Sequence, residues 1–255
     1  MRANDNPMTT PFSNARLADG PELSVLLPAY NEEACIETVV REAAAVLRGM
    51  GRRFEILVVD DGSTDGTPAR LKALRAEMPE LRLLAMARNS GQSAALGAAF
   101  GAARGTIFVT LDADGQNDPA DIPALVTRLD VCDVCCGYRA RRQDTWSKRF
   151  GSRLANAVRN RALREKIRYT GCTLKAFRAE WARPLPMQFR GMHRFLPAMM
   201  AMDGARIEEI PVNHRPRAAG QSKYTNWGRL KETLWDLWAV RWMQKRHRSV
   251  QAKEI

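Results

Sequence analysis

Phe54-Glu55-Ile56-Leu57-Val58-Val59-Asp60-Asp61-Gly62-Ser63-Thr64-Asp65-Gly66-Thr67 is the stretch on which the reading of the fold turns. Phe54 to Val59 is a nearly unbroken apolar run, short and bounded by polar residues, which predicts a strand buried on both faces. The Asp, Gly, Ser and Thr that close it predict a turn. Thr67 to Met78 then reads as a helix, with Leu71 and Leu74 on one face. The same grammar recurs on either side. Leu23 to Pro28 (LSVLLP) precedes helical apolar spacing from Glu32 to Met50, and Leu81 to Ala85 precedes an Ala-rich helix from Ser93 to Ala103. Thr106 to Leu111 (TIFVTL) runs straight into Asp112-Ala113-Asp114. Apolar strands alternating with helices predict an α/β fold, a mostly parallel sheet flanked by helices. Ligands of such sheets sit outside the carboxyl ends of the strands. The polar clusters after Pro28, Val59 and Leu111 all fall there.

The second half differs. VCDVCCGY, residues 131–138, reads as a buried strand, and Arg139 to Arg168 is strongly basic with a mostly helical pattern. Ile207 to Val212 reads as a last strand, Arg215 to Lys223 as a basic Gly-containing loop, and Asn226 to Arg248 as a Trp-rich helix. No internal repeat stands out, and no linker is long enough to mark a second domain. The expected organisation is an arm over residues 1–20, a catalytic domain over 21–225, and an amphipathic helix with a tail over 226–255.

The chain has 255 residues, with 40 Lys plus Arg against 28 Asp plus Glu, and so a net charge of +12. That excess favours polyanionic partners: nucleic acid, phosphorylated substrates or an anionic membrane surface. Without a recognisable nucleic-acid motif, a basic nucleic-acid-binding protein is the disfavoured member of the three. Residues 1–20 are polar, lack the apolar core of a signal peptide, and read as a mobile arm on a cytosolic protein. No uninterrupted apolar stretch reaches the about 18 residues that span a bilayer. The five cysteines are Cys35, Cys132, Cys135, Cys136 and Cys172. Cys132 and Cys135 match the C-x-x-C spacing of a redox or metal pair. With no second Cys/His pair to complete a zinc site, packing inside a strand is the better reading.

Asp112, Asp114 and Gln116 alternate along the chain. On an extended segment alternate residues point the same way, so two carboxylates and an amide oxygen can face one Mg²⁺ or Mn²⁺. A polar turn after a strand fits the same residues. Asp60 and Asp61 offer carboxylates to a ribose or a base, while Ser63 or Asp65 can cap the helix beginning near Thr67. His193 and His214, flanked by Arg194 and Arg215, read as structural or phosphate-adjacent.

Together LPAYNEE, VVDDGSTDGT, NSGQSAALGAAF and LDADGQNDP, in that order over most of Leu23 to Pro119, resemble the family 2 glycosyltransferases. The resemblance implies a GT-A (Rossmann-like) fold and a nucleotide-sugar donor, UDP- or GDP-linked. It implies nucleotide contacts at Pro28, Tyr30, Glu32, Asp60, Asp61 and Asp112, and Mg²⁺ or Mn²⁺ at Asp112, Asp114 and Gln116. Downstream, GYRA, WSKRFGSRLAN, YTGCTLKAFRAE, GMHRFLPAM and HRPRAAGQSKY look like the polyprenyl-phosphate sugar transferases, dolichol-phosphate mannose synthase among them. That likeness implies a metal-dependent hexosyltransferase that acts on a polyprenyl phosphate, with Asp114 central to catalysis. Arg139, Lys148, Ser152, Arg217 and Lys223 would surround the acceptor phosphate and the diphosphate. Lys148 stands where many relatives carry Arg, exchanging a bidentate fork for a point charge.

Physical chemistry points the same way. A sugar hydroxyl needs a general base before it attacks. A phosphate monoester, with a second pKa of about 6, is already largely dianionic at pH 7 and needs only positioning and neutralisation. The second half, with many Arg and Lys but few suitably placed carboxylates, suits it. The rival of the same fold glycosylates a saccharide or glycolipid hydroxyl.

The last helix places Trp227, Leu230, Leu234, Leu237, Trp238 and Trp242 at intervals of three and four, with Arg and Lys among them. Trp and basic residues on one amphipathic helix fit peripheral binding at the cytoplasmic face of a membrane. Packing on the domain core, or a contact between two copies in a homodimer, fits the same stripe.

Overall fold

The computed structural model describes residues 20–139, 156–165, 167, 171–216 and 226–248, with the backbone alone for 226–231. In chain order the elements are β1 (Leu23–Ala29), α1 (Ile36–Gly49), β2 (Phe54–Asp60), α2 (Thr67–Glu77), β3 (Leu81–Ala85), α3 (Gln92–Ala102), β4 (Ile107–Thr110) and α4 (Ile122–Arg128). Then come β5 (Val134–Arg139), a helical stretch α5 (156–163), β6 (Lys175–Arg178), α6 (Ala179–Ala182), α7 (Leu196–Met202), β7 (Ile207–Val212) and α8 (Asn226–Arg246).

The strands form one seven-stranded sheet in the order β3-β2-β1-β4-β6-β5-β7. β1, β2, β3 and β4 run parallel, and β5 pairs in parallel with β7. β6 alone runs against its neighbours, pairing antiparallel with β4 and with β5. The expected mostly parallel sheet is therefore present, with one reversed strand that the sequence reading passed over. Lys175-Ala176-Phe177-Arg178 carries charges at both ends and offers no apolar run, so nothing in its composition announces a central strand.

The apolar runs are explained by cores on both faces. Val25, Leu27, Ile56, Val58 and Val109 point to the layer of α1, α2 and α4. Leu26, Leu57, Val59 and Phe108 point to the opposite layer, which includes α3, α7 and α8. The period of two along each strand thus serves two hydrophobic layers, each fully buried Leu or Val contributing about 1.5–3 kcal/mol. Phe100, Phe108 and Phe177 knit the second layer, with ring centroids 5.9 to 6.3 Å apart. α1 buries Ile36, Val39, Val40, Ala43, Ala44 and Leu47, a stripe at helical spacing. It begins at Ile36, four residues later than its apolar pattern suggested, because the Asn31–Glu33 segment is spent on loop contacts.

Among the described residues all five cysteines are buried and none is in a disulfide. Cys135 and Cys136 lie in β5, where burial pushes both thiols up to about 12 and keeps them protonated. α8 packs on the core through Leu237, Val240 and Met243. Gln244 Nε2 donates to the Leu163 carbonyl (2.8 Å). Gly191 turns with φ +85° directly against the Asp236 carboxylate of α8, a backbone conformation that favours glycine.

Candidate functional site

The carboxyl ends of β1, β2 and β4 open on a cavity of about 920 Å³. Three loops build the first wall, and they hold one another before any ligand is considered. Asn31, itself in the left-handed region at φ 54°, accepts from Thr64 N through Oδ1 (2.8 Å), and its own N–H donates to Ser63 Oγ (2.9 Å). Glu32 N donates to Thr67 Oγ1 (2.9 Å), and Gly66 N donates to the Glu33 carboxylate (3.1 Å). Asp65 accepts from Thr67 N (3.0 Å) in a turn just ahead of α2, whose N-cap is Gly66 without a side-chain cap, so Asp65 does not cap the helix as expected. Ser63 instead serves the β1 loop.

Asp61 organises the third loop. Its carboxylate accepts from Ser90 N (2.7 Å), Gly91 N (2.8 Å) and Asn89 Nδ2 (3.1 Å), drawing residues 89–91 to the end of β2. Gly62, at φ +71°, passes so close to this loop that an added Cβ would lie 2.6 Å from the Arg88 carbonyl carbon. Only glycine suits that turn on both counts. Asp60 accepts from Ser63 N (3.1 Å) and is not among the residues lining the cavity. Pro28, Tyr30, Glu32, Asp61 and Asp112 all line it.

Asp112, Asp114 and Gln116 also line the cavity, but not on an extended segment. The chain turns after β4, with Gly115 at φ +74° and Gln116 N donating to Asp114 Oδ1 (3.1 Å). Side-chain alternation along a strand is therefore not what gathers them; the turn does. Asp112 is anchored from both sides: Thr173 Oγ1 donates to it at 2.5 Å and Gln92 Nε2 at 3.1 Å. Desolvation pushes the Asp112 carboxyl up to about 6, and the charge of Asp114 adds to this, while the Thr173 hydroxyl, Lys175 and Arg139 pull it back down. Two crowded carboxylates and an amide oxygen form a donor set of the kind that Mg²⁺ or Mn²⁺ shares with substrate phosphates and water. Among the described residues no three His, Cys, Asp or Glu side chains converge into a protein-only metal cage.

The second wall is cationic. Arg139 ends β5, Lys175 opens β6 and Arg159 comes from α5; all three line the cavity with His193, Arg194, Phe195 and Thr233. Lys175 is only 4% exposed, and its ammonium donates to the Cys172 carbonyl. His193 Nδ1 lies 2.8 Å from Ser93 Oγ, so the ring is fixed to the start of α3. Arg194 donates to Thr233 Oγ1 (3.1 Å) and faces Asp236 (3.6 Å), tying α8 to the cavity rim. His214 bridges the backbone of Asn117, and the Arg215 guanidinium spans Glu42 and Asp118, so this pair braces the β4 turn. Lys148, Ser152, Arg217 and Lys223 lie outside the described residues.

Sequence reasoning had assigned no role to Asn89, Gln92, Arg159, Thr173, Lys175, Arg194 or Thr233. Asn89 and Gln92 stand in the NSGQSAALGAAF motif, Thr173 and Lys175 in YTGCTLKAFRAE and Arg194 in GMHRFLPAM, so a signal exists for these five. Arg159 and Thr233 had none, because helices far apart in sequence carry them to the same cavity.

The family model for glycosyl transferase family 2 matches residues 24–185. Dodecaprenyl-phosphate galacturonate synthase of Rhizobium johnstonii is 38% identical over 209 residues, covering 80% of this chain and 62% of that protein. The chain therefore spans 62% of the length of that relative. Among solved structures, glucosyl-3-phosphoglycerate synthase of Mycobacterium tuberculosis with Mn²⁺, UDP and phosphoglyceric acid superposes with a TM-score of 0.65 at 22% identity, over 88% of this chain and 78% of that one. A mannosyltransferase of Pyrobaculum calidifontis with GDP-Man and Mn²⁺ gives 0.62 at 20% identity, over 92% and 67%. Likeness at that identity establishes the shared GT-A fold. The family match over residues 24–185, on the sheet and cavity just described, establishes that this chain belongs to glycosyl transferase family 2.

Proposed function

We propose that the chain transfers a sugar, with inversion, from a nucleotide diphosphate donor to the phosphate of a polyprenyl carrier. One observation carries the choice of acceptor. The cavity's acidic residues, Glu32, Asp61, Asp112 and Asp114, all belong to the β1, β2 and β4 loops. The facing wall of Arg139, Arg159, Lys175, His193 and Arg194 presents no carboxylate among the described lining residues. A hydroxyl acceptor on that side would need a base. A phosphate arrives ionised and needs what the wall has, positive charge. The Rhizobium relative, named for a synthase of dodecaprenyl-phosphate galacturonate, supports the same acceptor class.

In this reading the loops of Tyr30, Glu32 and Asp61 seat the nucleoside, and Asp112, Asp114 and Gln116 hold Mg²⁺ or Mn²⁺ at the diphosphate. Bound there, the metal supplies Lewis-acid charge for the departing diphosphate. Thr173 and Gln92 keep the Asp112 oxygens aimed, and Arg139 with Arg194 at the cavity rim orients the acceptor for in-line attack. Lys148, Ser152, Arg217 and Lys223 are assigned to the same phosphates by their motifs.

We further place the protein on the cytoplasmic surface of a membrane, with residues 21–225 as the transferase unit and 226–255 as the interfacial addition. No helix among the described residues is long and apolar enough to cross a bilayer. Support comes from α8, where Trp235, Trp238 and Trp242 are 72%, 64% and 54% exposed while Lys245 and Arg246 close the helix. Trp beside basic residues suits headgroup depth. The exposed stripe differs from the expected one in two ways: Leu237 packs inward and Trp235 takes a place outside.

The test is a transfer assay with purified protein, Mg²⁺ or Mn²⁺, a short-chain polyprenyl phosphate and a panel of UDP- and GDP-sugars, read by mass spectrometry of the organic phase. A lipid-phosphate sugar that vanishes with EDTA is the expected result. Sugar transferred only to saccharide or glycolipid hydroxyls would sink the acceptor assignment.

A further inference from the structure

Arg159 is a buried cation to which no motif assigns a role. It lines the cavity with 7% of its surface exposed, its guanidinium 5.3 Å from the centre of the Phe195 ring. Glu165 Oε2 lies 3.2 Å from Nη2, yet none of the three guanidinium nitrogens makes a hydrogen bond of good geometry among the described residues. Burial pulls the Arg159 pKa down, and Glu165 opposes the shift. A guanidinium removed from water costs several kcal/mol unless its donors are met, and five donors facing one carboxylate leave some over. Aimed into a cavity, they call for an anionic oxygen on the ligand.

The sheet order says which part of the ligand. At the shared end of the strands, Asp61 follows β2, Tyr30 follows β1, Asp112 and Asp114 follow β4, and Lys175 opens β6, level with Thr110 at the end of β4. Adjacent strands stand about 4.8 Å apart. A donor laid from the β2 and β1 loops across the β4 turn therefore carries its sugar past Asp114, over β6 and β5. Lys175 stands there, and Arg159 with it: both act on the thiol of Cys136, which is the β5 partner of Lys175 in register. A neutral hexose would bring only a hydroxymethyl group to two buried cations.

We propose that Arg159, backed by Lys175, binds the carboxylate carried on C5 of a hexuronate, so that the donor is a nucleotide-linked uronic acid. This deepens the sugar-transfer reading and rests on it. A site built around a buried charge rejects the analogue that lacks the countercharge, because its own group is then left unpaired.

The test titrates UDP-galacturonate against UDP-galactose, UDP-glucuronate against UDP-glucose and GDP-mannuronate against GDP-mannose into the full chain with Mn²⁺. Turnover onto a short-chain polyprenyl phosphate is measured alongside. One acidic donor is expected to bind about tenfold or more tightly than its neutral partner. Arg159→Lys keeps a charge and loses the planar fork, while the double change R159Q/E165Q removes both members of the ion pair together. Both are expected to bring that ratio towards one, leaving the affinity for free UDP or GDP as in the wild type. Neutral donors binding as well as acidic ones to the wild type overturn the inference and leave sugar transfer standing. An unchanged donor ratio with a raised KM for the lipid in the Arg159 variants also overturns it, assigning the residue to the acceptor phosphate. If no donor, UDP or GDP binds, the transfer reading falls and this inference with it.

Discussion

On the β2–β1–β4 wall of the cavity, each polar group stands just beyond the strand that positions it, and the loops are bonded to one another. Asp61 holds residues 89–91, Asn31 holds Thr64, and Gln116 closes on Asp114. On the β6–β5 wall the groups come from a reversed strand, from α5, from the turn before α7 and from α8. The first wall is acidic with its acceptors largely engaged. The second is basic, and at Arg159 its donors are left over. In the proposed reading the first wall holds the donor diphosphate, and the second chooses what is transferred and to what.

The largest expected effect breaks the first wall at its centre. Asp114→Asn should lower turnover by about 10²- to 10³-fold or more, with unchanged circular dichroism and melting temperature. A near-normal rate would remove the metal from Asp114.

Asp61→Ala should cost about 2–4 kcal/mol in denaturant unfolding, since three donors lose a charged acceptor at once. If stability is unaffected, the 89–91 loop does not depend on Asp61 as described.

The outer face of the second wall is tested by replacing Trp235, Trp238 and Trp242 together with Ser. Sedimentation with anionic vesicles should weaken by about tenfold or more, while UDP binding stays as it was. Vesicle binding equal to wild type would show that α8 is not the membrane contact.

The smallest effect is expected at Arg215→Ala. Its two ion pairs to Glu42 and Asp118 are partly exposed, so the loss should be about 1 kcal/mol or less. A greater loss would mean that the brace under the β4 turn matters more than its exposure suggests.

The first wall is legible in the sequence. Its strands announce themselves as apolar runs, and its functional groups sit at the ends of those runs, so local pattern sufficed to locate Tyr30, Asp61, Asp112 and Asp114. Even there the geometry differed. The acid pair is gathered by a turn with Gly115 at positive φ and not by strand alternation, and Asp60 serves the loop while Asp61 faces the cavity.

By itself the sequence determined the α/β alternation, the parallel β1–β4 core, the end of the sheet at which the cavity opens and the surplus of positive charge. All of these follow from interactions between residues near one another along the chain, which leave periodic traces. Only the tertiary structure decided that Lys175 opens an antiparallel strand, that Arg159 meets Phe195, and that α8 turns Leu237 inward and Trp235 outward. Those facts depend on contacts between segments far apart in the chain, whose energies come from burial and charge pairing and leave no period in the sequence.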